Sequence, residues 1–190
     1  MFEEGVDWTR IDRLIYKFGM PMGPFTLADE VGIDIGYKVG KVLEEGYGNR
    51  MVVPESIKKI YEQGLLGKKT KKGFFIYKSN NKSKIPNPEI NNFRLVFKPL
   101  NLSDATLVDR CIFIMINEAA RCLDEHVVVS PEQLDMAMIM GTGFPPFRGG
   151  LLRYADSLGI QNVVDRFKQL QNEFGIRFAP SPFLVKMATD

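Results

Sequence analysis

The chain repeats part of its own sequence, and this repeat limits its fold more than any other feature does. The matched segments come in the same order in both halves, and their spacing differs by only a few residues around glycine and proline turns. They are residues 8–12, 18–21, 28–33 and 49–54, which match residues 131–135, 142–145, 155–160 and 176–180. Because chance rarely preserves several segments in order, we infer a tandem duplication of one structural unit.

Helical start and stop signals dominate both halves. Asp7 and Ser103 each precede a run with apolar residues at helical spacing, and Pro24 and Pro131 suit the first turn of a helix. The one convincing strand signal is GFFIYK at residues 73–78, which is aromatic and β-branched. The sequence therefore predicts a mainly α fold of two tandem helical repeats, with one short β strand or hairpin after the first repeat.

The composition of residues 79–102 sets the expected boundaries. This stretch is rich in Asn, Lys, Ser and Pro, so it is predicted to be a linker between a first repeat at 1–78 and a second at 103–190. Residues 3–6 match residues 124–127, where the long helix of the second copy ends. The first copy therefore has no counterpart of that helix, and we expect either that another segment covers its core or that this chain is a truncated part of a longer protein.

Composition excludes several classes of protein and favours few. The 190 residues carry a net charge of +2, too weak a bias to indicate nucleic-acid binding. Apolar runs fall short of the ~20 residues that a membrane span requires. Cys111 and Cys122 lie on one predicted helix about 16 Å apart, too far to form a disulfide. With a single histidine, His126, no metal site is expected. The default location is cytoplasmic.

Four segments carry a resemblance to a known family. GMPMGPFTLADEVGID (19–34) and GKKTKKGFFIY (67–77) resemble signatures of 3-hydroxyacyl-CoA dehydrogenase C-terminal domains. INEAARCLDE (116–125) and MGTGFPPFRGGLLRYAD (140–156) resemble the second C-terminal copy in the multifunctional α-subunit of fatty-acid β-oxidation. The resemblance covers nearly the whole chain except residues 79–102. It implies the helical fold that this family shares with 6-phosphogluconate dehydrogenase C-terminal domains.

The resemblance also implies a function that this chain performs only together with other domains. In the family, a Rossmann domain binds NAD and supplies a catalytic His–Glu pair, and the C-terminal copies close the acyl-CoA cleft. No catalytic residue is therefore expected here, and the chain alone is expected to be inactive. The implied partners are acyl-CoA, the Rossmann and hydratase domains, and a thiolase β-subunit. The bacterial cytoplasm is favoured over mitochondrion or peroxisome. The alternative is a non-catalytic helical interaction module with the same fold.

One lysine is the candidate cofactor contact. The resemblance assigns Lys69 a contact with NAD from across an interdomain cleft, and the clustered lysines of GKKTKKG suit phosphate groups. The alternative is a solvated charged loop. Lys71 occupies the place of a glycine in the family's turn, which puts the conformation of this turn in question.

The candidate substrate contacts are apolar. Methionine and phenylalanine adapt to a flexible acyl chain, although a tight connection between packed helices would need the same glycines and prolines. Met140 is implied by the resemblance to lie near substrate and offers contact only. The candidates are Met20, Pro21, Met22, Gly23, Pro24, Phe25 and Met140.

Other polar residues are interpreted as structural. His126 follows two acidic residues at a predicted helix end and matches nothing in the family's catalytic pair. Asp29 and Asp156 occupy matched positions before helix-ending glycines, which favours a turn or a cap over acid–base catalysis. Gly141-Thr142-Gly143 follows a helical run, which is the wrong context for a dinucleotide-binding turn.

Overall fold

The computed structural model describes residues 1–78 and 83–189. These residues are mainly helical, with one antiparallel hairpin, so the predicted fold class is confirmed. Their helices are α1 (Trp8–Phe18), α2 (Pro24–Val31), α3 (Ile33–Tyr47), α4 (Glu55–Glu62), α5 (Asp104–Asp124), α6 (Pro131–Thr142), α7 (Leu151–Leu158), α8 (Ile160–Phe174) and α9 (Pro182–Met187). The hairpin strands are β1 (Phe75–Tyr77) and β2 (Lys84–Pro86). None of the described helices is long and apolar enough to cross a membrane.

Most predicted helix starts carry the expected caps. The Asp7 carboxylate accepts a hydrogen bond of 2.9 Å from Thr9 N, and the Ser103 hydroxyl accepts one of 3.1 Å from Thr106 N. Pro24 and Pro131 occupy the first turns of α2 and α6. These local signals succeed because each satisfies backbone donors that a helix leaves unpaired at its start.

The chain divides into two compact units. Unit 1 comprises residues 1–16 and 22–102, and unit 2 comprises residues 17–21 and 103–190. The predicted sequence repeats at 1–78 and 103–190 stay a prediction. The two units are defined by contacts within the folded chain, and these contacts do not test whether the sequence was duplicated.

The core of unit 1 is built from aromatic rings. Trp8 contacts Phe75 edge-on at a ring-centroid distance of 5.0 Å, and Phe2 contacts Phe74 at 5.9 Å. Such edge-to-face pairs add to the stabilisation that comes from burying the rings. The other buried members of this cluster are Ile33, Ile60, Leu65, Tyr77 and Ile90.

Residues 83–102, which belong to the predicted linker, include a β strand and a 3-10 helix. Tyr77 of β1 pairs with Lys84 of β2, and the segment Pro88–Phe93 forms a 3-10 helix whose Ile90 is fully buried. The Asn87 side chain is also buried and donates a hydrogen bond of 2.8 Å to Gly73 O. This stretch therefore completes unit 1, while residues 79–82 of the predicted linker lie outside the described residues.

Unit 2 is organised around α5. Phe113 of α5 contacts Phe167 of α8 at a ring-centroid distance of 5.1 Å. The Asn117 amide donates to Ala179 O at 2.8 Å and accepts from Ser181 N at 2.7 Å, which connects α5 to the start of α9. Buried apolar residues of this unit include Leu107, Ile112, Ile116, Leu151, Val163, Val164, Leu170 and Phe178. The long helix thus covers the other helices of its unit.

A matched pair of aspartates caps the same helix in each unit. Asp12 Oδ1 accepts a hydrogen bond of 2.7 Å from Phe25 N at the start of α2, and Asp135 Oδ1 accepts one of 2.6 Å from Leu152 N at the start of α7. A Cβ added at Gly23 or at Gly150 would lie 2.3 Å from the capping carboxylate. Glycine is therefore required beside each cap.

Candidate functional site

The lysine-rich loop forms a tight turn. Lys68–Thr70 make one 3-10 turn, and Lys71 adopts the left-handed conformation with φ 60°. Gly67 N donates to Lys72 O at 3.0 Å, and Lys72 N donates to Gly67 O at 3.1 Å, which closes the loop. Lysine at position 71 therefore adopts the backbone conformation that glycine favours, at a modest cost in strain.

Three of these lysines are held by carboxylates. Lys68 Nζ lies 2.8 Å from Glu30 Oε2, Lys72 Nζ lies 2.7 Å from Glu89 Oε1, and Lys69 Nζ contacts the carboxylate of Asp34. The hydrogen bond from Lys69 is the main cause that lowers the pKa of Asp34, so this carboxylate stays charged well into the acidic range. An anion that binds Lys69 must therefore share its ammonium with Asp34.

Lys69 lies against the junction between α2 and α3. A Cβ added at Gly32 would lie 3.0 Å from Lys69 Nζ and 2.9 Å from Asp34 Oδ1. Gly32 itself has φ 103°, a conformation that other residues rarely adopt. The junction thus brings the Lys69–Asp34 ion pair close to the backbone, between Val31 and Ile35.

Apolar side chains are exposed on both sides of this junction. On α2 they are one turn apart, and on α3 they follow at spacings of four and three residues, which places them on one helix face. They are between 45% and 67% exposed. We call them the α2–α3 strip: Leu27, Val31, Ile35, Val39 and Val42. Aligned apolar residues on exposed helix faces are typical of a surface that another polypeptide covers.

Residues 20–25, which we call the candidate acyl wall, are divided between the units. Met20 and Pro21 cluster with unit 2, whereas residues 22–25 belong to unit 1. Phe25 stacks edge-on with Phe74 at 4.7 Å and is half-buried in the aromatic core. A packing role therefore accounts for Phe25, and for the close approach of Gly23 to its cap. Met20 and Met22 are partly buried, so part of each remains accessible.

Met140 is 78% exposed near the end of α6, one turn beyond the exposed Met136. Flexible thioether side chains of this kind suit an apolar ligand and supply no acid–base chemistry. Met140 belongs to unit 2, and Lys69 belongs to unit 1.

The guanidinium of Arg148 is held by the backbone and the ring of Phe18. Its Nε and Nη2 donate to Phe18 O at 3.2 and 3.1 Å, and its guanidinium carbon lies 3.8 Å from the centre of the Phe18 ring. These contacts hold the chain around residues 17–21 against the rest of unit 2.

Asp29 is a buried carboxylate of unit 1 whose hydrogen-bond donors lie far away in sequence. The side chain, 1% exposed, accepts hydrogen bonds from Phe74 N at 2.9 Å, Phe75 N at 2.8 Å and Tyr77 Oη at 3.1 Å. Burial raises the pKa of Asp29, and burial followed by the charge of Asp29 raises the pKa of Tyr77. The predicted fold role is confirmed for Asp29, whereas the matched Asp156 is exposed.

Sequence reasoning missed Lys84, because it assigned this residue to a linker. Lys84 Nζ donates a hydrogen bond to the Thr26 hydroxyl and lies 3.9 Å from the centre of the Phe75 ring. Thr26 directly follows the candidate acyl wall. The one available signal was the alternation of polar and apolar residues around Ile85, which is too short to indicate a strand by itself.

Gly141, Thr142 and Gly143 belong to the end of a helix and not to a dinucleotide-binding turn. Thr142 is the last residue of α6, and Gly143 is its left-handed C-cap, so these residues end a helix rather than link a strand to one.

His126 is exposed with φ 56°, just beyond α5. In the described part of the chain, no three His, Cys, Asp or Glu side chains group together as metal ligands would.

Comparison with known proteins identifies the relatives of this chain. It is 40% identical over 185 residues to the fatty acid oxidation complex subunit alpha of Shewanella loihica, and 40% identical over 177 residues to that of Idiomarina loihiensis. These alignments cover 97% and 93% of this chain. The chain spans only about a quarter of each relative, 26% and 25% of their lengths.

Two solved structures share the fold. A 3-hydroxybutyryl-CoA dehydrogenase from Escherichia coli is 20% identical with a TM-score of 0.74, over 96% of this chain and 54% of that one. The dehydrogenase part of a multifunctional enzyme from C. elegans is 22% identical with a TM-score of 0.67, over 93% of this chain and 41% of that one.

A family model matches both halves of the chain. The model describes the C-terminal domain of 3-hydroxyacyl-CoA dehydrogenase, and it matches residues 1–77 and 107–190. These two segments make up most of the 190 residues, and the 40% identity of the bacterial relatives agrees with them. The chain therefore belongs to the 3-hydroxyacyl-CoA dehydrogenase C-terminal domain family.

Proposed function

We propose that this chain is the C-terminal, substrate-closing region of an NAD-dependent 3-hydroxyacyl-CoA dehydrogenase of fatty-acid β-oxidation. In this proposal it converts no substrate by itself and completes an active site whose NAD and catalytic His–Glu pair lie on a Rossmann domain. The observation that carries the proposal is the position of Lys69, beside the exposed apolar α2–α3 strip. Family membership and the bacterial relatives support it.

The α2–α3 strip is the proposed contact with the rest of the dehydrogenase. Covering exposed aliphatic side chains with a partner favours association by roughly 25 cal/mol of free energy for each Å² of apolar surface removed from water. A strip flanked by an ion pair also fits an interdomain surface, which combines apolar and charged groups. The Rossmann domain is the partner we favour, and hydratase and thiolase subunits are further partners of the whole protein in this proposal.

Lys69 fits a contact with NAD from the edge of such an interface. Its ammonium stands at the α2–α3 junction, and Asp34 fixes its direction. A dinucleotide carries negative phosphates that an ammonium can bind, and the bound nicotinamide supplies the acceptor for the hydride that leaves C3 of the substrate. The acidic partner Asp34 limits the gain, because it competes with phosphate for the same ammonium.

The apolar candidates would serve the acyl part of the substrate. Met20 and Met22 keep accessible surface beside the turn at Pro21, and Met140 presents its thioether on α6. Each would exclude water from an acyl chain by contact alone. The proposed reaction converts 3-hydroxyacyl-CoA to 3-ketoacyl-CoA, and a bacterial cytoplasmic location is part of the proposal.

A matched pair of lysine variants tests the cofactor contact. In the full-length protein, Lys69→Ala should weaken NAD binding about tenfold, the size expected for a lost charge-assisted hydrogen bond. Lys68→Ala removes the same charge one residue earlier and should change NAD affinity less than about twofold. Titration of NAD by fluorescence would give both affinities. Equal affinities for Lys69→Ala and the parent protein would remove the cofactor contact from the proposal.

A further inference from the structure

Lys84 is placed unlike the other lysines near the candidate site. It lies on β2 opposite Tyr77, and its ammonium is hydrogen-bonded to the Thr26 hydroxyl and lies 3.9 Å from the centre of the Phe75 ring. Thr26 is the residue after Phe25, the last member of the candidate acyl wall. The amine therefore stands at one end of the region that would receive an acyl-CoA.

Lys84 also differs from the neighbouring lysines in that its close partners are neutral groups. Lys68, Lys69 and Lys72 each form an ion pair, whereas within the described residues Lys84 has a hydroxyl and an aromatic ring as its close partners. Three carboxylates act on it from a distance: Asp12 and Asp29 are already engaged by backbone N–H groups, and Glu30 is paired with Lys68. Its ammonium thus has no carboxylate at contact distance to hold its proton.

The chemistry of the amine follows from this placement. Although the side chain as a whole is exposed, its head lies against Thr26 and Phe75. Burial of the head lowers the pKa of Lys84, while Asp12 and Asp29 oppose this shift. A larger share of neutral amine at pH 8 makes such a lysine a better nucleophile than a fully solvated one.

We propose that Lys84 accepts acyl groups from CoA thioesters and is a self-acylation site of this protein. The inference rests on the proposed function, which supplies the acyl-CoA. The lone pair of Nζ forms a bond to the thioester carbonyl carbon, and the carbon–sulfur bond breaks. Coenzyme A leaves as its thiolate and takes up the proton released by the amine. The products are an amide at Lys84 and free coenzyme A, with no oxidation or reduction.

The product would change the local charge. Acylation turns the ammonium into a neutral amide, which removes the cation from the Phe75 ring and from the neighbourhood of the Asp12 cap. Since Asp12 caps α2 through Phe25 N and Thr26 N, the modification acts beside the candidate acyl wall. It therefore links the supply of acyl-CoA to the electrostatics of the site that would bind it.

The test compares two lysines in the same molecule. The protein is incubated with acetyl-CoA at pH 8, and peptide mass spectrometry follows acetylation at Lys84 and at Lys38, an exposed lysine on α3. Lys84 should react about fivefold faster in the folded protein, and the two rates should become equal in urea. A Lys84→Arg variant assigns the modified peptide.

Either of two results would overturn the proposal. One is equal rates at Lys84 and Lys38 in the folded protein, and the other is a preference for Lys84 that persists in urea. Failure of the proposed function is read separately, as absence of dehydrogenase activity when the chain is combined with the remaining domains. Fast acetylation of Lys84 without that activity would support the site and reject the dehydrogenase role.

Discussion

The matched helices α3 of unit 1 and α8 of unit 2 differ in the polarity of one face. In unit 2, α8 presents Asn162, Arg166 and Gln169 at the positions where α3 of unit 1 presents Ile35, Val39 and Val42. Arg166 Nε donates to Asp109 Oδ2 of α5 at 2.7 Å, so this face of α8 is polar and tied to the long helix. The same face of α3 is apolar and exposed. Unit 1 thus has an exposed apolar helix face where the matching face of unit 2 is polar.

The helices α1 and α6 differ in the opposite sense, because the exposed face is basic in unit 1 and apolar in unit 2. Aligning the two capping aspartates places Arg13 and Lys17 of α1 opposite Met136 and Met140 of α6. The basic pair is exposed in α1, the methionine pair is exposed in α6, and Phe147 adds a further exposed ring in unit 2. The two units therefore share their caps and turns, whereas their outer helix faces differ.

The largest difference between the units should appear at the matched aspartates 29 and 156. Asp29→Ala leaves two buried backbone N–H groups and the Tyr77 hydroxyl without an acceptor, so it should lower the free energy of unfolding by about 3 kcal/mol. Asp156→Ala, on an exposed side chain, should change it by less than about 0.5 kcal/mol. Urea denaturation of both variants gives the comparison. Similar losses would show that Asp29 and Asp156 share one role.

The capping aspartates should instead behave alike. Asp12→Ala and Asp135→Ala each remove two helix-start hydrogen bonds, and each should cost about 2 kcal/mol in urea unfolding. Asn at either position keeps an acceptor and should recover part of the loss. If the cost at one position exceeded the other by more than about 1 kcal/mol, the caps would not be equivalent.

The free energy of unfolding should depend on pH through the thiol of Cys111, which lies on α5 in unit 2. Burial raises the pKa of Cys111 to about 11, above its ordinary value of 9.0. Because the folded pKa is the higher one, the stabilisation is complete below pH 9 and is lost as the pH rises towards 11, by roughly 1–2 kcal/mol. The difference in unfolding free energy between the parent protein and Cys111→Ala, followed from pH 8 to 11, measures it. A difference that does not change with pH would contradict the assignment.

The smallest effect on stability is expected on the outer faces. Val39→Lys on α3 and Gln169→Lys on α8 add the same charge at equivalent exposed positions, so each should change the free energy of unfolding by less than about 0.5 kcal/mol. Only Val39→Lys should weaken binding to the remaining domains, since only α3 is proposed to meet them. Equal binding of both variants would remove the α2–α3 strip from the interface.

Local sequence signals predicted most of the helices and their caps, because they depend on neighbouring residues. Long-range contacts were not accessible in the same way. The polar composition around Asn87 indicated a linker, yet its amide reaches Gly73 O and becomes buried. Nothing in the sequence linked Asp29 to backbone groups 45 positions away, or Lys69 to Asp34. The family resemblance supplied Lys69 as a candidate, and the structure added its acidic partner.

We propose that this chain completes an active site to which other domains contribute NAD and the catalytic residues. The most direct measurement is oxidation of NADH that depends on acetoacetyl-CoA, first with the chain alone and then after mixing with the separately purified N-terminal region of the longer protein. We expect no turnover by the chain alone and measurable turnover by the mixture. Turnover by the isolated chain would contradict it, because the catalytic groups would then lie within these 190 residues.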